Sequence, residues 1–439
     1  MVKQRKDINS LSATEIADYI HALNVLRRRS EADPDDPAGY DFQAGLHNDD
    51  RGPCEHGNDL FLPWHRAHLH YFEQLLQESD PPRTAEVTIP YWDWIHPEPV
   101  GKFPPAFSEP GLSEPDRNPN LNPPSLPADT LQIVIEERDI NEFAGYPEGT
   151  SAPRDLEGDY GKLEYGPHND MHPRFIGGKM ANAGTAANDP IYFSFHCFID
   201  LMWAEWQGRN GSPPPTSPAA ELRGFDSQSK HPQPKHQVRD FRSTTELGYE
   251  YEYTEQLRKA FEIPSPAPKP RKLLATERLQ PLFEVSETAE LQKAPRLQFG
   301  LPPLPAPGAA VVVRLQQVKV PTTGSYRLDA YVHPRDVPFD SDDKEFVRRH
   351  FVGYVALWQA HQAHDGHGGH EGGRHHHPSS LTARFDVTNA LGGATPGAAA
   401  DHVLTLHYIP APGPTGEPAT APELVQEVAL DDVLMEVYG

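Results

Sequence analysis

The feature that most limits what this chain can fold into is a change in the spacing of its apolar residues. Up to about Tyr253 they recur at helical intervals; beyond about Gly300 they recur at every second position. In the first part Ile16, Tyr19, Ile20, Leu23 and Leu26 follow a Ser12-Ala-Thr-Glu15 capping box. A second helix is expected over 62–78, with His65, Leu69, Phe72 and Leu76 on one stripe. Two more are expected, a short one around His168–His172 and one over 191–206. In the last part Tyr326, Leu328, Ala330 and Val332 alternate with Arg327, Asp329, Tyr331 and His333. Leu381, Ala383, Phe385 and Val387 repeat the pattern, as do Leu404, Leu406 and Tyr408. The two periods belong to different secondary structures, so the chain reads as a mainly α domain followed by an all-β antiparallel sandwich. Between them Ile263–Lys272 alternates proline with small or basic residues, as a semi-rigid linker does. The expected boundaries are 1–262 for the helical domain, 263–308 for the linker and 309–439 for the sandwich. From Pro97 to Pro127 recurring prolines suit a long ordered loop.

Charge and cysteine count narrow the function classes. Asp and Glu number 63 against 39 Lys and Arg, a net charge of −24, which argues against nucleic acid or an anionic membrane as the main partner. Two cysteines cannot build a disulfide framework. No apolar run reaches the ~18–20 residues of a membrane span, and Met1–Ser10 lacks the apolar core of a signal peptide. The expectation is a soluble, cytoplasmic protein, with an exported or processed form as the alternative.

The chain is also unusually rich in histidine, with 23 residues. One group is His47, His56 and His65; another is His168, His172 and His196. His168 and His172 stand four apart, so on a helix both imidazoles leave the same face one turn apart. Six neutral imidazoles with no carboxylate among them suit copper better than magnesium, calcium or manganese, and three ligands per ion leave room for an exogenous ligand. Zinc with three histidines is the competing reading, although no His-Glu-x-x-His motif brings the usual base.

The motifs around these histidines resemble those of the binuclear type-3 copper proteins: tyrosinases, catechol and polyphenol oxidases, and haemocyanins. Phe61-Leu-Pro-Trp-His65-Arg66, Pro90-Tyr-Trp-Asp-Trp94, Pro167-His168-Asn169-x-x-His172 and Asp189-Pro-Ile…His196…Ile199-Asp200…Trp203-Ala-Glu-Trp206 stand in the family's order, over about 2–253. The resemblance implies a four-helix-bundle core with His47, His56 and His65 on one copper ion and His168, His172 and His196 on the other. It also implies O2 and phenolic small molecules as partners. Cys54, two before His56, resembles the cysteine bonded to that imidazole by a thioether; a buried thiol is the plainer reading. Glu164 and Asn169 resemble a pair that holds the water taking a phenol's proton; a helix cap is their plainer reading. Arg66 and Asp200 resemble a pair locking two ligand helices together.

Some positions depart from the family pattern. Phe195 stands where many members carry a second histidine, and Ala183 where plant catechol oxidases carry a bulky gate residue, which implies an open site. Tyr249-Glu-Tyr251 or Tyr251-Glu-Tyr253 resembles the motif closing the catalytic domain, with Arg5 as partner. Phe351-Val-Gly-Tyr354, Arg384-Phe385-Asp386-Val387 and Asp432-Val-Leu-Met-Glu-Val-Tyr438 resemble the sandwich that shields the site of plant polyphenol oxidases and keeps them latent. Phe351, Tyr354 and Trp358 are its candidate shielding aromatics. A His-rich insertion over 361–377 follows Trp358, and is read as metal scavenging or as copper delivery. The reading is a tyrosinase-like polyphenol oxidase that turns o-diphenols into o-quinones and hydroxylates monophenols. An o-aminophenol oxidase, a haemocyanin-like O2 carrier and a zinc hydrolase are the alternatives.

Overall fold

A computed structural model of the chain describes residues 2–47, 54–119, 129–149, 152–153, 155–156, 158–211, 217–225, 237–266, 272–282, 296–302, 309–321, 324–358, 379–391, 401–411 and 432–439. Helix α1 (Ala13–Ala32) begins at the Ser12 capping box, with Glu15 N–H donating to Ser12 Oγ (3.2 Å) and Ser12 N–H to Glu15 Oε2 (2.8 Å). Helix α2 (Tyr40–His47) carries His47 as its last residue. Helix α3 (Phe61–Ser79) buries the whole stripe read from sequence and packs against α1. Three short helices follow, α4 (Pro81–Thr84), α5 (Asp129–Glu136) and α6 (Ile140–Ala144). Helix α7 (Ile191–Arg209) is apolar nearly all round, so it runs through the interior, against α3. Asp189 starts it, accepting from Ile191 N–H (3.0 Å) while held by Arg117.

The helix expected around His168–His172 is built differently. Two π-helical stretches, Glu164–His168 and Met171–Ile176, flank Asn169 and Asp170, with a break at Gly166 (φ −90°, ψ −108°) just before Pro167. Proline lacks an N–H and its ring displaces the preceding turn, so the i→i−4 ladder widens there. The chain's start returns to this unit as β1 (Lys3–Arg5), parallel to β2 (Tyr249–Tyr251), before a last helix, α8 (Glu255–Phe261).

Contacts divide the structure into two units, the first running from Met1 to Pro266. The second holds two four-stranded antiparallel sheets. One has the order β3 (Leu273–Arg278), β10 (Asp432–Tyr438), β5 (Ala310–Lys319), β8 (Ser380–Asp386). The other has the order β4 (Arg296–Gly300), β9 (His402–Pro410), β6 (Tyr326–Pro334), β7 (Phe351–Leu357). Two strands therefore lie inside the stretch 263–308 that the prolines mark as linker. β3 and β4 are edge strands, where proline-flanked chain can still pair on one side. The alternation of β6 also fails as an inside–outside rule, because its residues from Tyr326 to His333 are all buried. Arg327 pairs with Asp329 (2.5 Å), Tyr331 packs edge-on against Phe339 (5.2 Å), and the short helix Lys344–His350 covers the strand. Among the candidate shielding aromatics, Phe351 packs on Tyr331 (5.5 Å), and Arg327 lies over Tyr354 (4.7 Å). The His-rich insertion 361–377 lies outside the described residues.

Candidate metal centre

Five segments deliver the histidines: α2 gives His47, the stretch before α3 gives His56, α3 gives His65, the π-helical region gives His168 and His172, and α7 gives His196. His47, His56 and His65 form one buried group and His168, His172 and His196 a second, with one ligand atom from each residue lying within 4.8 Å of the others in its group. The groups are adjacent: the His65 and His196 rings stack at 4.5 Å and 6°, and the His47 and His196 rings are 6.0 Å apart.

Backbone and amide oxygens fix the rings. His65 Nδ1–H donates to Phe61 O (2.8 Å), His172 Nδ1–H to Met180 O (2.9 Å), His196 Nδ1–H to Tyr192 O (3.0 Å) and His168 Nδ1–H to Asn169 Oδ1 (2.9 Å). A carbonyl only accepts, so each bond puts the proton on Nδ1 and leaves Nε2 as a lone pair aimed inward. The Nε2 atoms of His168 and His196 converge to 3.2 Å, and His65 Nε2 is buried without a protein partner. Burial, then neighbouring imidazoles, push His65, His172 and His196 well below the usual histidine pKa, so the rings stay neutral. Two buried sets of three imidazoles, four of the six rings held with Nε2 free as a lone pair, fit a pair of soft-to-borderline metal ions.

The surroundings are dry and aromatic. Phe195 lies 4.9 Å from both the His172 and His196 rings and 4.9 Å from Trp94. Glu164 is fully buried, and both of its oxygens accept from Gly57 N–H (2.9 and 3.0 Å), next to His56. Burial first, and then Asp159, raise its pKa well above the ordinary value. Cys54 and His56 are both buried, and neither cysteine of the chain is in a disulfide. Ala183 is buried just past the turn whose Met180 carbonyl holds His172.

Arg66 and Asp200 meet as the sequence suggests, Nε to Oδ1 at 2.5 Å, and Arg66 stacks on Trp203 (3.6 Å). The tyrosine pair resolves to Tyr249 and Tyr251, whose hydroxyls both donate to Asp200 Oδ2 (2.6 Å), with Arg5 over the Tyr249 ring (3.6 Å). Tyr253 turns away to Glu205 (3.0 Å). Two residues with no motif signal also line the site: Tyr192 (ring 4.1 Å from His196) and His68, buried beside it. Only the i, i+3 spacing of His65 and His68 pointed to the latter.

A buried helical unit with two facing imidazole triads, followed by a two-sheet β unit, defines a binuclear metal protein. The common central domain of tyrosinase matches residues 37–125 and 113–209, which include all six histidines. Tyrosinase HcTyr1 of Hahella sp. is 26% identical over 422 residues, covering 81% of this chain and 85% of the relative. The chloroplastic polyphenol oxidase E of Solanum lycopersicum is 26% identical over 440 residues, covering 86% and 69%. A recombinantly expressed latent aurone synthase, a polyphenol oxidase, superposes with a TM-score of 0.67 at 17% identity, covering 100% of this chain and 89% of its own. Residues 37–209 thus carry the common central domain of tyrosinase, the chain is similar over most of its length to tyrosinases and polyphenol oxidases, and it is a copper oxidoreductase.

Proposed function

We propose that the chain oxidises o-diphenols to o-quinones and hydroxylates monophenols, with His47, His56 and His65 holding one copper ion and His168, His172 and His196 the other. The observation that carries this reading is the pair of buried all-imidazole triads. Two copper ions so held supply O2 binding and two-electron oxidation of a phenol ring. The chain's own groups do the rest. Phe61 O, Met180 O, Tyr192 O and Asn169 Oδ1 hold four rings with Nε2 inward, and Phe195 and Trp94 keep water from them. Glu164, buried next to His56, and Asn169 hold the water that takes the monophenol proton. Asn169 orients His168, and the small Ala183 leaves the approach open. The second unit restrains turnover until the connection between the units is cut, as the family likeness to a latent enzyme suggests.

The experiment is metal analysis and turnover on a chain lacking 361–377, so that the additional histidines hold no loose ions. Two tightly bound copper ions per chain, with activity on a catechol and a simple monophenol, are expected. One equivalent, or zinc without O2-induced absorption, refutes the assignment. Glu164→Gln is expected to lower monophenol turnover about 10²-fold with a much smaller loss on the diphenol. Equal losses would mean that Glu164 acts through its bonds to Gly57. Cleavage between Pro264 and Pro307 is expected to raise diphenol turnover several-fold at constant copper content, and no change would refute the restraint.

A further inference from the structure

A buried pair beside the triads belongs neither to the six imidazoles nor to the proton-transfer residues. His68 sits on α3 three residues after His65, and Tyr192 on α7 four before His196. His68 Nε2 lies 2.9 Å from Gln43 O, and Gln43 stands on α2 four residues before His47. Its Nδ1 lies 3.4 Å from the Tyr192 hydroxyl. Gln43 O can only accept, so the His68 proton is on Nε2, which leaves Nδ1 as the acceptor for Tyr192 O–H. Burial lowers the His68 pKa to about 4, so this single neutral tautomer persists at working pH.

The Tyr192 ring packs at 4.8 Å on His47, from the first triad, and at 4.1 Å on His196, from the second. Gln43 and His47 stand one turn apart on the same face of α2. Whatever holds the Gln43 carbonyl therefore also sets how α2 is turned and where the His47 imidazole points. His68 is the side chain that holds it. We infer that His68 and Tyr192 are positioning residues: a relay from α7 through α3 to α2 that holds His47 at the first metal ion and couples it to His196 at the second. This rests on the six-imidazole reading proposed above.

The test uses the chain without 361–377 and measures copper transfer to a competing chelator, with apoprotein melting as a control. The parent chain should hold two copper ions tightly. His68→Leu should weaken one of the two by about tenfold or more, and Tyr192→Phe, which removes one hydrogen bond and keeps the ring, by about fivefold. His68→Gln can donate to Gln43 O and accept from Tyr192, so it should stay within about twofold of the parent. If His68→Leu binds both ions as tightly as the parent, or if Gln fails as badly as Leu, the relay is wrong. Should the Leu variant not fold, unchanged affinity in Tyr192→Phe refutes it alone. A parent chain holding fewer than two ions overturns the ligand assignment and the relay together, whereas two ions in parent and variants alike overturn only the relay.

Discussion

Asp200 is a buried charge with four polar partners, and replacing it by Asn tests how the two ligand helices are joined. Its carboxylate meets Arg66 at 2.5 Å, Arg5 at 3.5 Å, and two tyrosine hydroxyls at 2.6 Å, and all of these side chains are buried. Arg5 keeps Glu73 at 2.9 Å, and Arg66 keeps carbonyls at Phe241 and Arg242, but Asn leaves both guanidiniums without the opposing charge they share. Removing one partner of a buried pair costs about 3–5 kcal/mol. For a unit of this size that is a fall of about 6–20 °C in melting temperature. Tyr249→Phe removes a single hydrogen bond and should cost about 1 kcal/mol. Tryptophan fluorescence follows the first unit, since five of the six tryptophans, all but Trp358, lie within it. Burial raises the pKa of Asp200, but Arg66, Arg5 and the two tyrosines outweigh it and hold the group below its ordinary value. The stabilisation is therefore present above the ordinary aspartate pKa of about 3.9 and is lost as pH falls through the lower, folded value. Asp200→Asn should lie far below the parent at pH 7 and approach it in acid. A cost under about 1 kcal/mol at pH 7 would refute the claim that this charge holds α3 to α7.

Three further outcomes are expected. At Gly145 (φ +117°) a Cβ would lie 2.5 Å from Asn58 O, so Gly145→Ala should destabilise the first unit by about 2 kcal/mol or more; an unchanged melting temperature would mean that the loop gives way freely. Burial, partly offset by bonds from Asp93 and Asn9 N–H, raises Asp7 to about 6. A raised carboxyl pKa makes stability fall as pH rises from about 4 to about 6, so parent and Asp7→Asn melting curves should diverge over that window in favour of Asn. Parallel curves would place the Asp7 pKa in the ordinary range. If Cys54 is bonded to the His56 ring, the active protein should weigh about two hydrogens less than its sequence, and an alkylatable Cys54 in fully active protein excludes the bond.

What the sequence determined by itself is what local chemistry encodes. The Ser12–Glu15 box starts a helix because both bonds close within four residues, α3 follows from its apolar stripe, and α7 from a long apolar run after Asp189-Pro190. The six histidines and the Arg66–Asp200 pair were legible because motif spacing survives folding. Tertiary structure decided the rest. α2 was not read from the sequence, and the structure places it where α1 packs on it and His68 holds its Gln43 carbonyl. The break at Gly166–Pro167 turns an apparent i, i+4 helix into π-helical turns, and only the finished backbone shows it. Strands β3 and β4 lie in proline-rich sequence because pairing with β10 and β9 supplies hydrogen bonds that no local propensity predicts. The choice of Tyr249 and Tyr251 over Tyr253 was settled by which hydroxyls reach Asp200, 49 and 51 residues away in the chain. Likewise, Tyr192 and His68 carry no motif of their own, and they meet because α7 packs on α3. A side chain's partner from a distant segment depends on how the helices cross, and that geometry is set by the whole core rather than by the residues on either side.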